Sequence, residues 1–400
     1  FIPLAVGAVI CVNCGWDTRS GVKVQTKTAT AIFAALVVLS ANLEIRDLDI
    51  WLHIAAGKHI LKMLSIPAVD IFSCSIAGKP WINHEWLFQV IVFNIFDRWG
   101  AQGLIIMQVS IVSMTMLLLY FLGHSKEKQL FTIFFLFLVY MVYQQRFTMR
   151  PDLYSLLFFT IYIFVLSLHI DKRWAAPVIF ITQVLWSNFH GFFFFGPVFV
   201  LIGIISEFVK RNVPLPYEWN DSGRLTDEEY GRMKKILFFV ILACLLNPYF
   251  VQGALYPFGI FFSLSGEDKI FFQYIQELKM PITRDTLFNQ GEYLYYKIMI
   301  VLSFVSFVFN RRRIDISALL FWLVFLFFSL KAVRNTSFFA FAAYLVFITN
   351  IFNIKYDDVV PIKFTDKKFL YITSIVLKIL FVLWIFRYYQ AISMRSYYDF

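Results

Sequence analysis

Two aspartates and a histidine begin the chemistry of this sequence. Asp47, Asp49 and His53 fall in RDLDIWLHIAAGKHI, residues 46–60, directly behind the apolar run TATAIFAALVVLSANLEI. Ionisable groups at a lipid boundary are costly and usually face a cavity or a partner. Others recur at comparable places: His84 with Glu85, Arg146 with Arg150, Asn188 with His190, and Arg334 with Asn335. A carboxylate can take a proton from an acceptor hydroxyl. Acidic oxygens bind hard divalent cations such as Mg²⁺ or Mn²⁺. Arginine forks grip phosphate through two parallel hydrogen bonds. The expected catalytic acids are therefore Asp47, Asp49 and Glu85, with a divalent cation as a candidate cofactor among them. The expected substrate-binding groups are His53, His84, Arg146, Arg150, Asn188, His190 and Arg334. Asp49 is the first choice, because it stands four residues before His53 and shares a face with it if the segment is helical.

The elements that must position these residues are membrane helices. The chain is 60% hydrophobic and 20% aromatic, with charged residues at 16% and a mean hydropathy of +0.69; a soluble domain carries about 25% charged residues. This is the composition of an integral membrane protein. The net charge of +10 would point to nucleic acid in a soluble protein, but here Lys and Arg cluster in loops between apolar runs, so nucleic acid is not an expected partner.

Apolar runs lie at 28–45, 101–122, 130–145, 152–169, 174–190, 192–209, 235–251, 293–310, 315–331, 335–353 and 369–387. They predict an all-α polytopic protein of about eleven transmembrane helices. EWLFQVIVFNIFDR, residues 85–98, is amphipathic and reads as an interfacial helix within a long first outer loop, 46–100. A second outer loop is expected at 252–292, and a cytoplasmic loop carrying a short amphipathic helix at 210–235. Every second loop is basic: Lys23 and Lys27, Lys126 and Lys128, Lys172 and Arg173, Lys210 and Arg211, Arg311 to Arg313, and Lys355 to Lys368. That alternation places the N-terminus in the cytoplasm and the acids and arginines above at one outer face. Taken singly, each such residue has a plainer reading as an interfacial group that reaches for water. His124 and His169, at cytoplasmic ends, are left with that reading, as are Trp51, Trp81 and Trp86 as interface aromatics. Asn247, before Pro248, reads as a helix terminus.

Several blocks carry a resemblance: DLDIWLHIAAGKHIL, IPAVDIFSCSIAGKPWINHEWL, RPDLYSLL, LWSNFHGFFFFG and LLNPYF. Together they resemble a family of bacterial polytopic membrane proteins related to the GT-C glycosyltransferases, over about Asp47 to Asn335. The resemblance implies a many-helix GT-C-like domain (28–400) in the cytoplasmic membrane of a bacterium. It implies a polyprenyl-phosphate sugar donor, an unspecified glycan, lipid or protein acceptor, and an outer active site with an acid just after the first helix. Asp47 or Asp49 matches that acid in position and Glu85 a second one; Arg334 is placed as a donor-phosphate arginine would be. The sequence shows no large soluble C-terminal domain, which leaves room for a non-catalytic subunit that keeps the fold. A lipid or polysaccharide transporter ranks third, because no internal repeat is visible and the charges sit at one face rather than at the midplane.

FIPLAVGAVICVNCGWDTRSGVK looks like the second half of a small zinc ribbon, with Cys11 and Cys14 as one knuckle. Tetrahedral Zn²⁺ needs four ligands, so residues 1–27 are expected to be a cytoplasmic tail whose other Cys pair lies before Phe1.

Overall fold

The computed structural model describes residues 18–45, 47–124, 129–265, 274–288, 293–353 and 374–386. Cys11 and Cys14, and the loop lysines 126, 128, 355, 363, 367 and 368, lie outside them. The chain divides into two compact units, one of Phe1–Leu36 with Val360–Phe400 and one of Val37–Val359. Every candidate site residue outside the cysteine pair belongs to the second. In the first, the rings of Phe33 and Phe381 lie 5.5 Å apart.

The described residues are helical, with one isolated antiparallel bridge between Val69 and Pro80. In chain order the helices are α1 (Thr18–Ala41), α2 (Asp49–Met63), α3 (Trp86–Leu122), α4 (Gln129–Tyr143), α5 (Pro151–Leu168), α6 (Ala175–Phe189), α7 (Phe195–Asn212), α8 (Asp227–Leu245), α9 (Phe250–Ser265), α10 (Leu294–Phe309), α11 (Ile316–Lys331), α12 (Thr336–Asn353) and α13 (Ser374–Phe386). Each of the eleven apolar runs falls on one of these helices. The architecture is the expected all-α one, with apolar helices of membrane-spanning length among the described residues.

Among the described residues, four stretches are long and apolar enough to cross a bilayer unaided: Trp86–Leu122, Pro151–Leu168, Gly191–Asn212 and Val333–Asn353. Others, such as α6 and α10, have 15 and 16 residues. At 1.5 Å per residue they reach about 23 Å against a hydrocarbon core of about 30 Å. Short 3₁₀ turns lengthen several helix ends. Gln144–Arg146 continues α4, Gly191–Phe194 leads into α7, and Val333–Asn335 leads into α12.

The amphipathic run 85–98 and the following span are two helical segments of α3 that meet at a kink at Gly100 (φ 59°, ψ −155°), a conformation that glycine takes without steric cost. Two stretches differ from expectation. Residues 213–226 are turns rather than an amphipathic helix. Pro214 and Pro216 interrupt the chain, and the capping box of Thr226 with Glu229 delays the helix start to Asp227. Lys210 Nζ fixes this loop through Gly223 O (3.0 Å) and Asp315 Oδ1 (2.6 Å). The expected outer loop 252–292 is in part helix α9, set at 97° to α8. Pro248 lies in the break, and Asn247 closes it, donating to Cys244 O and Phe250 O and accepting from Tyr249 N.

The core of the second unit is built around α12, which buries nearly every side chain from Thr336 to Tyr344. A helix apolar on all sides belongs inside. Its rings meet α4 through Phe135 and Phe347 (3.8 Å, stacked), α5 through Phe159 and Phe338, α10 through Tyr296 and Phe339, and α11 through Trp322 and Phe339. Tyr344 donates to Leu119 O of α3 at 2.9 Å. The turn that carries Arg334 thus leads into the most enclosed helix.

α2 lies tight against the first part of α3. A Cβ on Gly57 would stand 2.1 Å from Gln89 O and 2.8 Å from Phe93 Cβ. Gly57→Ala is therefore expected to push α2 off α3 and destabilise the protein by about 1–3 kcal/mol. A thermal melt equal to wild type would show that the contact is slack.

Candidate active site

Arg150 organises one end of the second unit. It precedes Pro151, which excludes helical geometry at the residue before it; Arg150 is accordingly extended (φ −123°, ψ 159°) at the N-terminus of α5. Its guanidinium forks onto both oxygens of Asp47, through Nε to Oδ2 and through Nη2 to Oδ1 (2.9 Å). Nη2 also lies 3.0 Å from Asp49 Oδ2, and Nη1 donates to Glu277 Oε1. Arg146, in the 3₁₀ turn after α4, shares that Glu277 oxygen at 3.1 Å and faces Asp152 Oδ2 at 3.5 Å. The result is a continuous ladder: Asp47 and Asp49, Arg150, Glu277, Arg146, Asp152.

The two aspartates are not equivalent in it. The side chain of Asp47 is 6% exposed and that of Asp49 62%. Burial alone would raise the Asp47 carboxyl. The Arg150 fork and the Asp49 N–H, which donates to Oδ1 at 3.0 Å, more than offset it and hold Asp47 below the usual carboxylate range. Arg150 is correspondingly held above its ordinary value, chiefly by Asp47.

A second cluster surrounds Glu85, the residue before α3. Its Oε1 lies 3.6 Å from His84 Nε2 and 3.8 Å from His190 Nε2. His190 Nδ1 is 2.8 Å from Ser155 Oγ, which in turn accepts from Trp186 Nε1 at 2.8 Å. The ring of His84 packs on Tyr256 at 4.6 Å. Burial, with Asp152 and Asp49 nearby, pushes the Glu85 carboxyl up to about 8. Burial draws both His84 and His53 down to about 4. His53 sits on α2 with its ring edge-on to Phe88, and its Nδ1 has no partner among the described residues. Asn188 is fully engaged: it accepts from Trp86 Nε1 and donates to Val184 O and Leu246 O, all at 2.8 Å. Beside Trp86 opens an apolar cleft of about 580 Å³, lined by Ile60, Leu61, Leu64, Pro248 and Tyr249 among others.

Arg334 completes the site. Its guanidinium lies 5.2 Å over the ring of Phe192. Arg334 Nε and Arg146 Nη2 are buried and have no hydrogen-bond partner among the described residues. The turn carrying Arg334 is tied to the turn carrying Glu277 by Val333 N donating to Lys279 O at 2.8 Å.

The structure therefore gathers Asp47, Asp49, Arg146 and Arg150 into the ladder, His84, Glu85 and His190 into the second cluster, and Arg334 beside them, whereas Asn188 serves as a structural clamp. Sequence reasoning did not name Asp152 or Glu277. Asp152 stands in the quoted block RPDLYSLL; Glu277 carries no local signal. A divalent cation shared by Asp47 and Asp49 does not fit this arrangement, because the Arg150 guanidinium already occupies the oxygens it would need. Among the described residues no group of three His, Cys, Asp or Glu side chains is gathered as a metal-binding set.

No family model and no curated protein matches the chain by sequence. Among solved structures it is similar to the archaeal oligosaccharyltransferase AglB from Archaeoglobus fulgidus, in complex with an inhibitory peptide and a dolichol-phosphate. The TM-score is 0.52 at 10% identity, over 84% of this chain and 50% of that one. The chain thus spans about half the length of that protein, and at this identity the likeness is one of fold.

The displaced groups predict how stability depends on pH. The unfolded chain protonates His53 and His84 below about 6.5 and the folded chain only near 4, so stability falls as pH drops through that window. The folded chain keeps the Glu85 proton to about 8 while the unfolded chain loses it near 4.5, so this term lowers stability as pH rises from 4.5 to 8. Below 6.5 these histidines, with His190 lowered by burial in the same sense, outweigh Glu85; above it the Glu85 contribution remains. The melting temperature of the purified protein is expected to peak near pH 6.5, and a profile flat from 5 to 8 would contradict these environments.

Proposed function

We propose that this protein is a GT-C-type membrane glycosyltransferase that takes a sugar from a polyprenyl-phosphate donor and passes it to an acceptor at the outer face of a bacterial cytoplasmic membrane. The observation that carries the reading is the pair of unsatisfied arginine donors, Arg334 Nε and Arg146 Nη2. A buried donor without a partner is expensive, and an arginine left so is suited to an anion. Phosphate satisfies guanidinium donors with several oxygens at once. The fold likeness supports the same class, since AglB is an oligosaccharyltransferase seen with dolichol-phosphate.

In this reading Arg334 and Arg146 hold the donor phosphate and stabilise it as it leaves. The ladder beneath keeps Arg146 in place through Glu277 and Asp152. The acceptor oxygen attacks the sugar carbon, the bond from that carbon to the phosphate oxygen breaks, and the acceptor proton passes to a carboxylate of the site. Asp49, the exposed acid, and Glu85, the one without an arginine in contact, are the carboxylates open to that role. The acceptor is a hydroxyl of a glycan, lipid or protein. A cytoplasmic zinc ribbon completed by an upstream Cys pair remains part of the proposal for Cys11 and Cys14.

One observation favours a second reading, a GT-C-fold subunit without chemistry. Asp47 and Asp49, the acids placed where a GT-C enzyme carries its first acid, are both paired to Arg150.

Binding of polyprenyl phosphate to the purified protein, measured by native mass spectrometry, tests the enzyme reading. Wild type is expected to retain the lipid, and Arg334→Ala to bind it about 10–100-fold more weakly, the worth of a charge-assisted hydrogen bond. Equal binding by wild type and Arg334→Ala would remove the phosphate from this site.

A further inference from the structure

An indole N–H can only donate, so Trp186 Nε1 gives its proton to Ser155 Oγ at 2.8 Å. That leaves the Ser155 hydroxyl hydrogen for its other partner, His190 Nδ1, at 2.8 Å, the arrangement that uses the donor of every group. In it His190 accepts at Nδ1 and carries its hydrogen on Nε2, the atom that faces Glu85 Oε1 at 3.8 Å. On the opposite side His84 Nδ1 lies 3.4 Å from Ile82 O. A carbonyl can only accept, so that nitrogen carries the hydrogen and His84 Nε2, 3.6 Å from the same Glu85 oxygen, presents a lone pair. Glu85 stands between a donor and an acceptor, at distances that a small rotation or one bridging water closes.

From this geometry we propose that Glu85 is the proton-exchanging group of the site, with Ser155 and Trp186 as positioning residues that act through His190. Its use, which rests on the glycosyltransferase reading, is to take the proton of the acceptor as that oxygen bonds to the sugar carbon and the phosphate departs with the electron pair. Glu85, whose side chain is 22% exposed, then releases the proton to solvent, which restores the carboxylate.

The alternatives within the site are less suited. Asp47 has both oxygens on Arg150, which makes it a weak base, and Asp49 Oδ2 meets the same guanidinium. Glu85 has no arginine in contact. The charged and titratable groups around it are His84 and His190 beside it, Asp49 on α2, Arg150 and Asp152 at the start of α5, and Tyr256 on α9. A proton acceptor works best with a pKa near the operating pH, and these surroundings, through burial and the two aspartates, put Glu85 near 8.

The test is an infrared pH titration of the protein in lipid nanodiscs, following the protonated-carboxyl band, with polyprenyl-phosphate binding measured on the same wild-type preparation. Wild type is expected to lose a band component with a midpoint near 8, and Glu85→Gln to lack that component, which separates it from any other buried acid such as Asp152. Ser155→Ala frees His190 to move its hydrogen to Nδ1. The carboxylate then loses its facing donor, and proton binding tightens about tenfold. Ser155→Thr, which keeps the hydroxyl, restores the wild-type midpoint. A Glu85→Gln spectrum that keeps the component overturns the proposal, and so does a Ser155→Ala midpoint equal to wild type. Lipid binding without the component overturns this inference alone. The component without lipid binding supports the proton site and overturns the glycosyltransferase reading instead.

Discussion

One guanidinium holds this end of the molecule together. Arg150 receives Asp47, Asp49 and Glu277, carboxylates separated from it by about a hundred residues on either side. Arginine stays charged in any protein environment, so the three acids have a permanent counter-ion. Removing Arg150 would leave the buried Asp47 carboxylate without its partner. The pairing fixes where α2 begins, because Asp47 bonds both Arg150 and the Asp49 N–H at its start. It also anchors the turn of Glu277, which the Val333–Lys279 hydrogen bond joins to the turn of Arg334. The position of Arg334 thus depends on Arg150 without any direct contact between them.

The same pairing divides the labour among the acids. Asp47, forked by Arg150, is held below the usual carboxylate range and is a poor proton carrier at neutral pH. Glu85, which meets imidazoles instead, is left with the opposite property. Two carboxyl environments pushed in opposite directions are a common sign of separate roles in one site. The framework acids keep arginines in place for an anion, and Glu85 is left to handle a proton. The apolar cleft beside Trp86 lies in the same unit as this cluster.

Much of this was legible in the sequence. Apolar runs located the helices because hydropathy over some twenty residues reports membrane insertion directly. Pro151 announced the extended backbone of Arg150, since the restriction on the preceding residue is local. What stayed hidden was long-range pairing. Asp49 and His53 share a helix at the expected spacing, yet Asp49 is exposed and turned to Arg150 while His53 is buried against Phe88. Local spacing does not show that Arg150 chooses Asp47 as its buried partner, 103 residues away, or that Glu277 joins from 127 residues on. Helix α9 was hidden for a different reason: Asn247 and Pro248 break the chain, and the apolar run read at 235–251 ends at the bend that begins α9.

The central claim is that the arginines at this end receive a lipid phosphate while the Arg150 ladder stays intact. A cryo-EM structure of the protein in nanodiscs with added polyprenyl phosphate tests it most directly. The account predicts phosphate density within hydrogen-bond distance of Arg334 and Arg146, with Asp47 still forked to Arg150. Phosphate bound elsewhere on the protein, or bound only after Asp47 and Arg150 separate, would contradict it.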